Sequence, residues 1–253
     1  MSDSVIGFEG QSVIVTGGTT GIGESCAHLF AGRGASVTVM DFDARGAERV
    51  AGEVQAEGGD AAASIVDLTD YGATQEAVEG VCGRTGRLDV LVHSAGGFPR
   101  YISLIDMPVE DWDGVVNNNL KSIFHLLKAA APLMIEGGYG RIVTLSSAVA
   151  RSSNHSPHYT SAKTGVLGLT RQAARELGPH GITVNAVAPA SVNTPRTMGM
   201  RTEAQTENIR RITPLGRMCE PEEIAWPIVF LCSREAGYIT GVTLDINGGS
   251  TMV

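Results

Sequence analysis

The sequence predicts an α/β fold, a parallel sheet covered by helices on both faces, and three observations carry that expectation. Short β-branched runs alternate with longer helical patterns almost to the C-terminus, the rhythm of successive β-α-β units. The strand-like runs are apolar throughout instead of alternating, as in strands buried on both sides. The 253 residues contain no internal repeat, low-complexity tract or linker, which suits a single domain over 1–253 burying roughly 70–75% of its unfolded surface.

The first run, Ser12–Thr16, leads straight into a glycine cluster and a helical pattern over Ile22–Gly32. Ser36–Met40 follows, ends against Asp41 and precedes a helical pattern over Arg45–Glu57. Ala62–Val66 leads through Asp67 and Asp70 to a helical pattern over Thr74–Thr85. Val90–His93 comes next, then a long helical stretch over Glu110–Met134. The pairs Arg141–Ser146 with Tyr159–Leu177 and Thr183–Ala188 with Pro221–Leu231 continue the alternation, and Thr243–Ile246 closes it. Only 190–213 breaks the rhythm: it holds Thr, Arg, Met and Gln in a weakly helical pattern with no strand. Ligands of open α/β sheets bind beyond the carboxyl ends of strands. This insertion follows such an end and reads either as a substrate lid or as an inert surface excursion.

Composition excludes several functions. A net charge of −8 without a basic stripe argues against a nucleic-acid partner. No run approaches the ~18 apolar residues of a membrane span. Cys26, Cys82, Cys219 and Cys232 are widely spaced and form no metal-ligand pattern. Reduced thiols in a soluble cytoplasmic protein without a metal centre are the expectation, with Cys26 and Cys232 in the core.

The turn Thr16-Gly17-Gly18-Thr19-Thr20-Gly21-Ile22-Gly23 joins a strand to a helix. Glycines there permit close backbone approach to a pyrophosphate, and the helix N-terminus offers unpaired N–H groups. The spacing G-x-x-x-G-x-G makes the signal moderate, and an ordinary glycine-rich loop is the alternative. Asp41 at the end of the second strand can accept hydrogen bonds from a ribose 2′-hydroxyl and repels a 2′-phosphate, so NAD is expected over NADP. Asp67 either reaches the adenine or belongs to a helix-capping region.

Tyr159 and Lys163 stand four residues apart on a helical stretch and so share a face. An ammonium beside a phenol favours the phenolate and can bring its pKa of ~10 toward neutrality. A fall of ~3 units corresponds to ~4 kcal/mol. Any amphipathic helix can carry such a pair, so its weight comes from the rest of the chain.

Together, the Thr16–Gly23 turn, Tyr159-x-x-x-Lys163 and Trp112-Asp113-x5-Asn119-Leu120 resemble the short-chain dehydrogenase/reductase family over nearly the whole chain. The resemblance implies a Rossmann-type, doubly wound, seven-stranded sheet in the order 3-2-1-4-5-6-7 and a homotetramer. It also implies hydride transfer between a nicotinamide and a carbinol or carbonyl carbon. Tyr159 then acts as general acid/base, Lys163 holds the nicotinamide ribose, and Asn119 holds a helix distortion and a water. Ser147 orients the substrate oxygen; Ser146 is the alternative by spacing, and the strand anchor selects Ser147. Implied cofactor contacts are Gly17, Thr20, Gly21, Ile22, Gly23, Asp41, Asp67, Leu68, Ser94, Ala95, Gly96, Tyr159, Lys163, Pro189, Val192 and Thr194. Three departures stand out: His93-Ser94 for Asn-Asn, Ala190 for Gly, which should restrict the backbone entering the lid, and Cys219 for Gly.

His155 and His158 lie in the polar loop 152–158 and read as solvated; His93 reads as structural, close to the adenosine. Arg196, Arg201, Arg210 and Arg211 read as facing water. The function expected is an NAD-dependent oxidoreductase acting on a small secondary alcohol or ketone. Its alternatives are a 3-oxoacyl-thioester reductase, whose members usually take NADPH, and a non-catalytic NAD(H) sensor.

Overall fold

The computed structural model describes residues 6–153 and 155–252; Asn154, in the loop before Tyr159, lies outside them. Seven parallel strands form one sheet in the order β3-β2-β1-β4-β5-β6-β7. They are β1 Ser12–Thr16, β2 Ser36–Asp41, β3 Asp60–Ile65, β4 Val90–His93, β5 Gly140–Leu145, β6 Ile182–Pro189 and β7 Thr243–Ile246. Each lies within two residues of its expected run. The largest shift is in β3, which starts at Asp60 because it pairs with Ser36 of β2 from that residue on.

The connections are α1 (Gly21–Ala31), α2 (Ala44–Ala56), α3 (Tyr71–Thr85), α4 (Val109–Val116), α5 (Ser122–Gly137), α6 (Val149–Ser152), α7 (Pro157–Leu177), α8 (Pro195–Gly199), α9 (Glu203–Ile212) and α10 (Pro221–Cys232). Successive side chains of a strand point to opposite faces. Val13, Val15, Val37, Val39, Val90, Val92 and Val143 therefore pack on one side, with Phe30 of α1, Val50 of α2 and Ile228 of α10. Ile14, Met40, Leu91, Ile142 and Val184 pack on the other, with Val78 of α3, Leu126 of α5 and Val166 of α7. Both faces are apolar because both are covered, which is why the strand runs show no alternation. Cys26 and Cys232 are fully buried in the first of these layers.

The expected helix over Glu110–Met134 is continuous but not uniform. A π turn over Asn117–Lys121 separates α4 from α5. The fully buried Asn119 fixes it: its side-chain amide donates to Val115 O (2.8 Å) and Gly97 O (2.6 Å) and accepts from Gly97 N (2.7 Å). Such insertions into a helix commonly mark functional sites.

The 190–213 insertion forms two helices, each opened by a reciprocal cap, Thr194 with Thr197 and Thr202 with Gln205. No residue of α9 is buried. Ala190 does not strain the entrance to this segment. Ser153 is the sole described non-glycine residue with a positive φ, and Ala190 N donates to Ile246 O at 3.2 Å.

Candidate active site

The carboxyl ends of β1, β2, β4, β5 and β6 surround one groove. Gly17, directly after β1, has φ +62° and donates its N–H to Met40 O at 3.0 Å. A Cβ on Gly17 would stand 2.6 Å from the backbone of Ala95, and one on Gly21 2.7 Å from Thr194 Cγ2. The turn is thus a cradle walled by the chain after β4 on one side and the entry to α8 on the other. Thr20 makes no side-chain cap on α1, so the first-turn N–H groups remain available to an anion. The tightest position is Gly23, where a Cβ would lie 2.1 Å from Gly17 O. That neighbour is backbone and cannot rotate away. Gly23→Ala is therefore expected to destabilise the fold by about 1–3 kcal/mol and to weaken NADH binding by at least ~10-fold, measured by thermal melting and fluorescence titration.

Asp41 closes β2 with its side chain buried. One carboxylate oxygen accepts from Thr19 Oγ1 and the other from Asp43 N, both at 3.1 Å. Ser94 N donates to Thr16 O (3.2 Å) and Ala95 N to Thr16 Oγ1 (3.3 Å), fixing the far wall. Beyond β3, Asp67 is exposed and binds Thr69 through N and Oγ1; Leu68 is buried, its carbonyl 3.0 Å from His125 Nδ1. Capping of α3 belongs to Asp70, which accepts from Ala73 N. A bare glycine turn, an open helix N-terminus and a fixed carboxylate one strand away together fit a dinucleotide: diphosphate on the turn, ribose hydroxyls at Asp41.

At the reactive end, Ser147 follows β5 and stands beside Tyr159, near the start of α7, where its hydroxyl favours the phenolate. Its hydroxyl also lies 3.4 Å from Pro189 O. Ser146 points away and donates to Lys163 O at 2.8 Å. Lys163 is buried, donates from Nζ to Leu145 O at 2.8 Å and lies 5.7 Å from the centre of the Tyr159 ring. A Cβ on Gly96 would sit 2.6 Å from Asn119 Oδ1 and 3.6 Å from Lys163 Nζ, so this loop bridges the two. Thr194 and Val192 border the groove from the lid side; Val192 is buried and bridges to Cys219.

The electrostatics differ from the expectation that Lys163 draws the Tyr159 pKa down. Burial pushes the phenol up, countered in part by the Ser147 hydrogen bond and by the charge of Arg196. Lys163 is itself pushed down to about 7, by burial first and Arg196 second. A desolvated ammonium bonded to a carbonyl contributes little field at the phenol when it is itself close to losing its proton.

The two loop histidines depart from their expected settings, while His93 is structural as expected. His158 is fully buried, not solvated, and its Nδ1 accepts from Tyr159 N at 2.7 Å. His155 stacks on Phe98 (4.3 Å) and approaches Tyr159 (5.5 Å between ring centres). His93 is buried beside Lys163, hydrogen-bonded to Ser122 and held neutral, its pKa near 3 because of burial and the lysine charge. Arg196 is exposed, as expected, and at the same time reaches across the mouth to Gly96 O (2.9 Å) and Phe98 O (2.7 Å). Phe98, whose ring centre is 4.7 Å from that of Tyr159, was not singled out by any sequence pattern. Its position two residues after Gly96 was the available signal.

A family model described as enoyl-(acyl carrier protein) reductase matches residues 17–251. The chain is 39% identical over 243 residues to the 3-oxoacyl-(acyl-carrier-protein) reductase FabG of Thermotoga maritima, covering 96% of this chain and 98% of that one. It is 36% identical over 247 residues to the Escherichia coli protein of the same name, covering 97% and 99%. A solved short-chain type dehydrogenase/reductase from Mycobacterium ulcerans is 31% identical with a TM-score of 0.91, over 97% of this chain and 91% of that one. The structure of gox2181 is 32% identical with a TM-score of 0.93, over 96% of each chain.

Proposed function

We propose, from the premise that this chain belongs to the short-chain dehydrogenase/reductase family, that it interconverts 3-oxoacyl and 3-hydroxyacyl compounds with NAD(H). It is an oxidoreductase of that family; the substrate and the choice of dinucleotide are the proposal. The observation that carries it is Ser147 and Tyr159 set side by side near the buried Lys163, whose Nζ is 5.7 Å from the Tyr159 ring centre, at the end of a groove that starts in a bare glycine turn. The substrate class draws on the relatives, which are 3-oxoacyl-(acyl-carrier-protein) reductases. They favour this reading over the small alcohol or ketone expected from sequence.

A bound nicotinamide supplies the hydride acceptor or donor. The chain's own groups do the rest. Ser147 and Tyr159 direct two hydroxyls at one substrate oxygen and so orient it. Tyr159 exchanges a proton with that oxygen, as base in oxidation and acid in reduction. Lys163 is positioned for the ribose hydroxyls, and Asn119, through Gly97 and the π turn, keeps the loop beside it in place. Gly17, Thr20, Gly21, Ile22 and Gly23 would carry the diphosphate. Asp41 takes the adenosine ribose, Asp67 and Leu68 the adenine end, Ser94, Ala95 and Gly96 the inner wall. Pro189, Val192 and Thr194 would serve the carboxamide.

Segment 190–213 would act as the lid, since α9 contributes nothing to the core. Exposed Trp226, Phe230, Val242 and Leu244 support assembly into a homotetramer. Four separate free thiols suit a cytoplasmic setting, and no helix among the described residues is long and apolar enough to cross a membrane.

The test is NADH oxidation, with NADPH in parallel, across 3-oxoacyl thioesters, simple ketones and an enoyl thioester. Turnover of 3-oxoacyl thioesters with NADH supports the reading. Turnover confined to ketones or to the enoyl thioester removes it.

Lys163 gives a pH prediction. Its folded pKa of about 7 lies below its ordinary 10.5, so between those values the unfolded chain binds the extra proton and folding gains stability as pH rises. The melting temperature of the cofactor-free protein should therefore climb from pH 7 to 9. Lys163→Met should flatten that climb, and an unchanged slope in the variant would remove this account.

A further inference from the structure

Two guanidinium groups of the 190–213 segment face the reactive end without an acid to pair with. Arg196, in α8, holds Gly96 O and Phe98 O across the mouth, and its Nη1 lies 2.0 Å from where a Cβ on Gly97 would stand. A side chain at 97 would displace the guanidinium from this position. The charge of Arg196 is felt at both Tyr159 and Lys163. Arg201, half-buried just after α8, is held by Ser191 Oγ at 3.4 Å and Met218 Sδ at 4.0 Å. Its charge is felt at His155, which stacks with Phe98 beside Tyr159.

Some arginines of the chain pair with acids, whereas Arg33 and Arg141, like Arg196, are held by backbone carbonyls. Arg49, Arg87, Arg100, Arg151 and Arg217 each lie within 3.5 Å of a carboxylate. Neither Arg196 nor Arg201 takes part in an ion pair among the described residues. A cation withdrawn from water and held by a hydroxyl and a thioether is poorly compensated, and burial pushes Arg201 below its ordinary value. A planar guanidinium is well suited to a carboxylate. Arg196 lies on Phe98 O and the charge of Arg201 reaches His155, so an anion held between them lies on the side of the Phe98–His155–Tyr159 cluster. The phosphate of a carrier thioester is a whole pantetheine arm away and does not meet this requirement.

We propose that Arg196 and Arg201 seat a carboxylate of the substrate, so that the protein takes short 3-oxo and 3-hydroxy acids as free anions. This rests on the 3-oxoacyl reading of the site. With 3-oxobutyrate, C3 receives the hydride of NADH, its oxygen receives the Tyr159 proton, and the carboxylate at C1 is unchanged. The products are 3-hydroxybutyrate and NAD, and Tyr159 regains its proton from water.

The experiment compares 3-oxobutyrate with its neutral methyl ester in the full chain, its Arg196→Met and Arg201→Met variants, and the double variant. NADH affinity is measured alongside. In Arg201→Met kcat/KM for the acid should fall about tenfold while that for the ester and the NADH Kd stay within about threefold, and in the double variant the loss on the acid should exceed the loss on the ester by about tenfold or more. Arg196→Lys should recover part of the loss. Equal losses on acid and ester, or a tenfold rise in the NADH Kd, would overturn the proposal; the latter would give the arginines to the cofactor. Wild-type reduction of the ester and of thioesters but not of the acid overturns it while leaving the 3-oxoacyl reading intact. If no 3-oxoacyl compound turns over, calorimetry of 3-oxobutyrate with the NADH-loaded protein decides. Arginine-dependent binding retains the seat and discards the 3-oxoacyl reading, and absence of binding discards both.

Discussion

Tyr159→Phe is expected to lower kcat by about 10³-fold or more while the NADH Kd changes by less than about threefold. The substitution removes one oxygen and little else. Phe98 still meets the ring at 4.7 Å, His155 at 5.5 Å, and the Tyr159 backbone N–H still donates to His158. Lys163 is held by Leu145 O, not by the phenol, so its place is unaffected. Ser147 loses its partner at residue 159 but retains the approach to Pro189 O. What disappears is the group that exchanges a proton with the substrate oxygen. Single-turnover measurements with saturating NADH would show the loss in the chemical step. A variant that retains a tenth of wild-type turnover would assign the proton transfer to another group, and His155 is the nearest candidate by geometry. Lys163→Met should behave differently, weakening NADH binding as well as kcat, because that side chain is positioned for the ribose.

How much of this could be read from the chain follows physical lines. The seven strands were legible because each is short and bounded by turns, and burial on both faces marks β1, β2, β4, β5 and β6, while the edge strands β3 and β7 are partly exposed. Ser147 could be preferred over Ser146 because side-chain direction alternates at a strand end, and Ser146 indeed turns back to Lys163 O. The π turn at Asn117–Lys121 left no periodic trace, since one inserted residue shifts a helical pattern by less than its own noise. It was anticipated only through the family's Asn. The fate of Arg196 and of His158 was not legible at all. Arg196 depends on contacts with Gly96 and Phe98, about a hundred residues earlier, and His158 on burial that its polar loop does not announce. The same holds for the pKa of Lys163. Spacing showed that it neighbours Tyr159, but only burial decides which of the two groups is the more perturbed.

The other large effect concerns the dinucleotide. Asp41→Ala is expected to lower the ratio of kcat/KM for NAD over that for NADP by about 10³-fold. Two contributions act in the same direction. A carboxylate ~4 Å from a phosphate interacts by ~4 kcal/mol at an effective dielectric constant of ~20, and solvent at the groove edge reduces this by half, to about 2 kcal/mol. Losing a charged acceptor for the ribose hydroxyl weakens NAD by a further ~1.5–3 kcal/mol. The carboxylate is well fixed for both roles, held by Thr19 Oγ1 and Asp43 N on separate oxygens. NADP should improve without matching the wild-type efficiency with NAD, because no cation is paired with Asp41 among the described residues; Arg45, the second residue of α2, is exposed, and Arg49 is held by Glu24, Glu53 and Thr19 O. Asp41→Asn separates the two contributions: it removes the charge and keeps an acceptor, so NADP should improve while NAD falls only about tenfold. If both variants leave the NAD to NADP ratio unchanged, the ribose is read elsewhere. The pairing of this glycine turn with the end of β2 would then have to be redrawn.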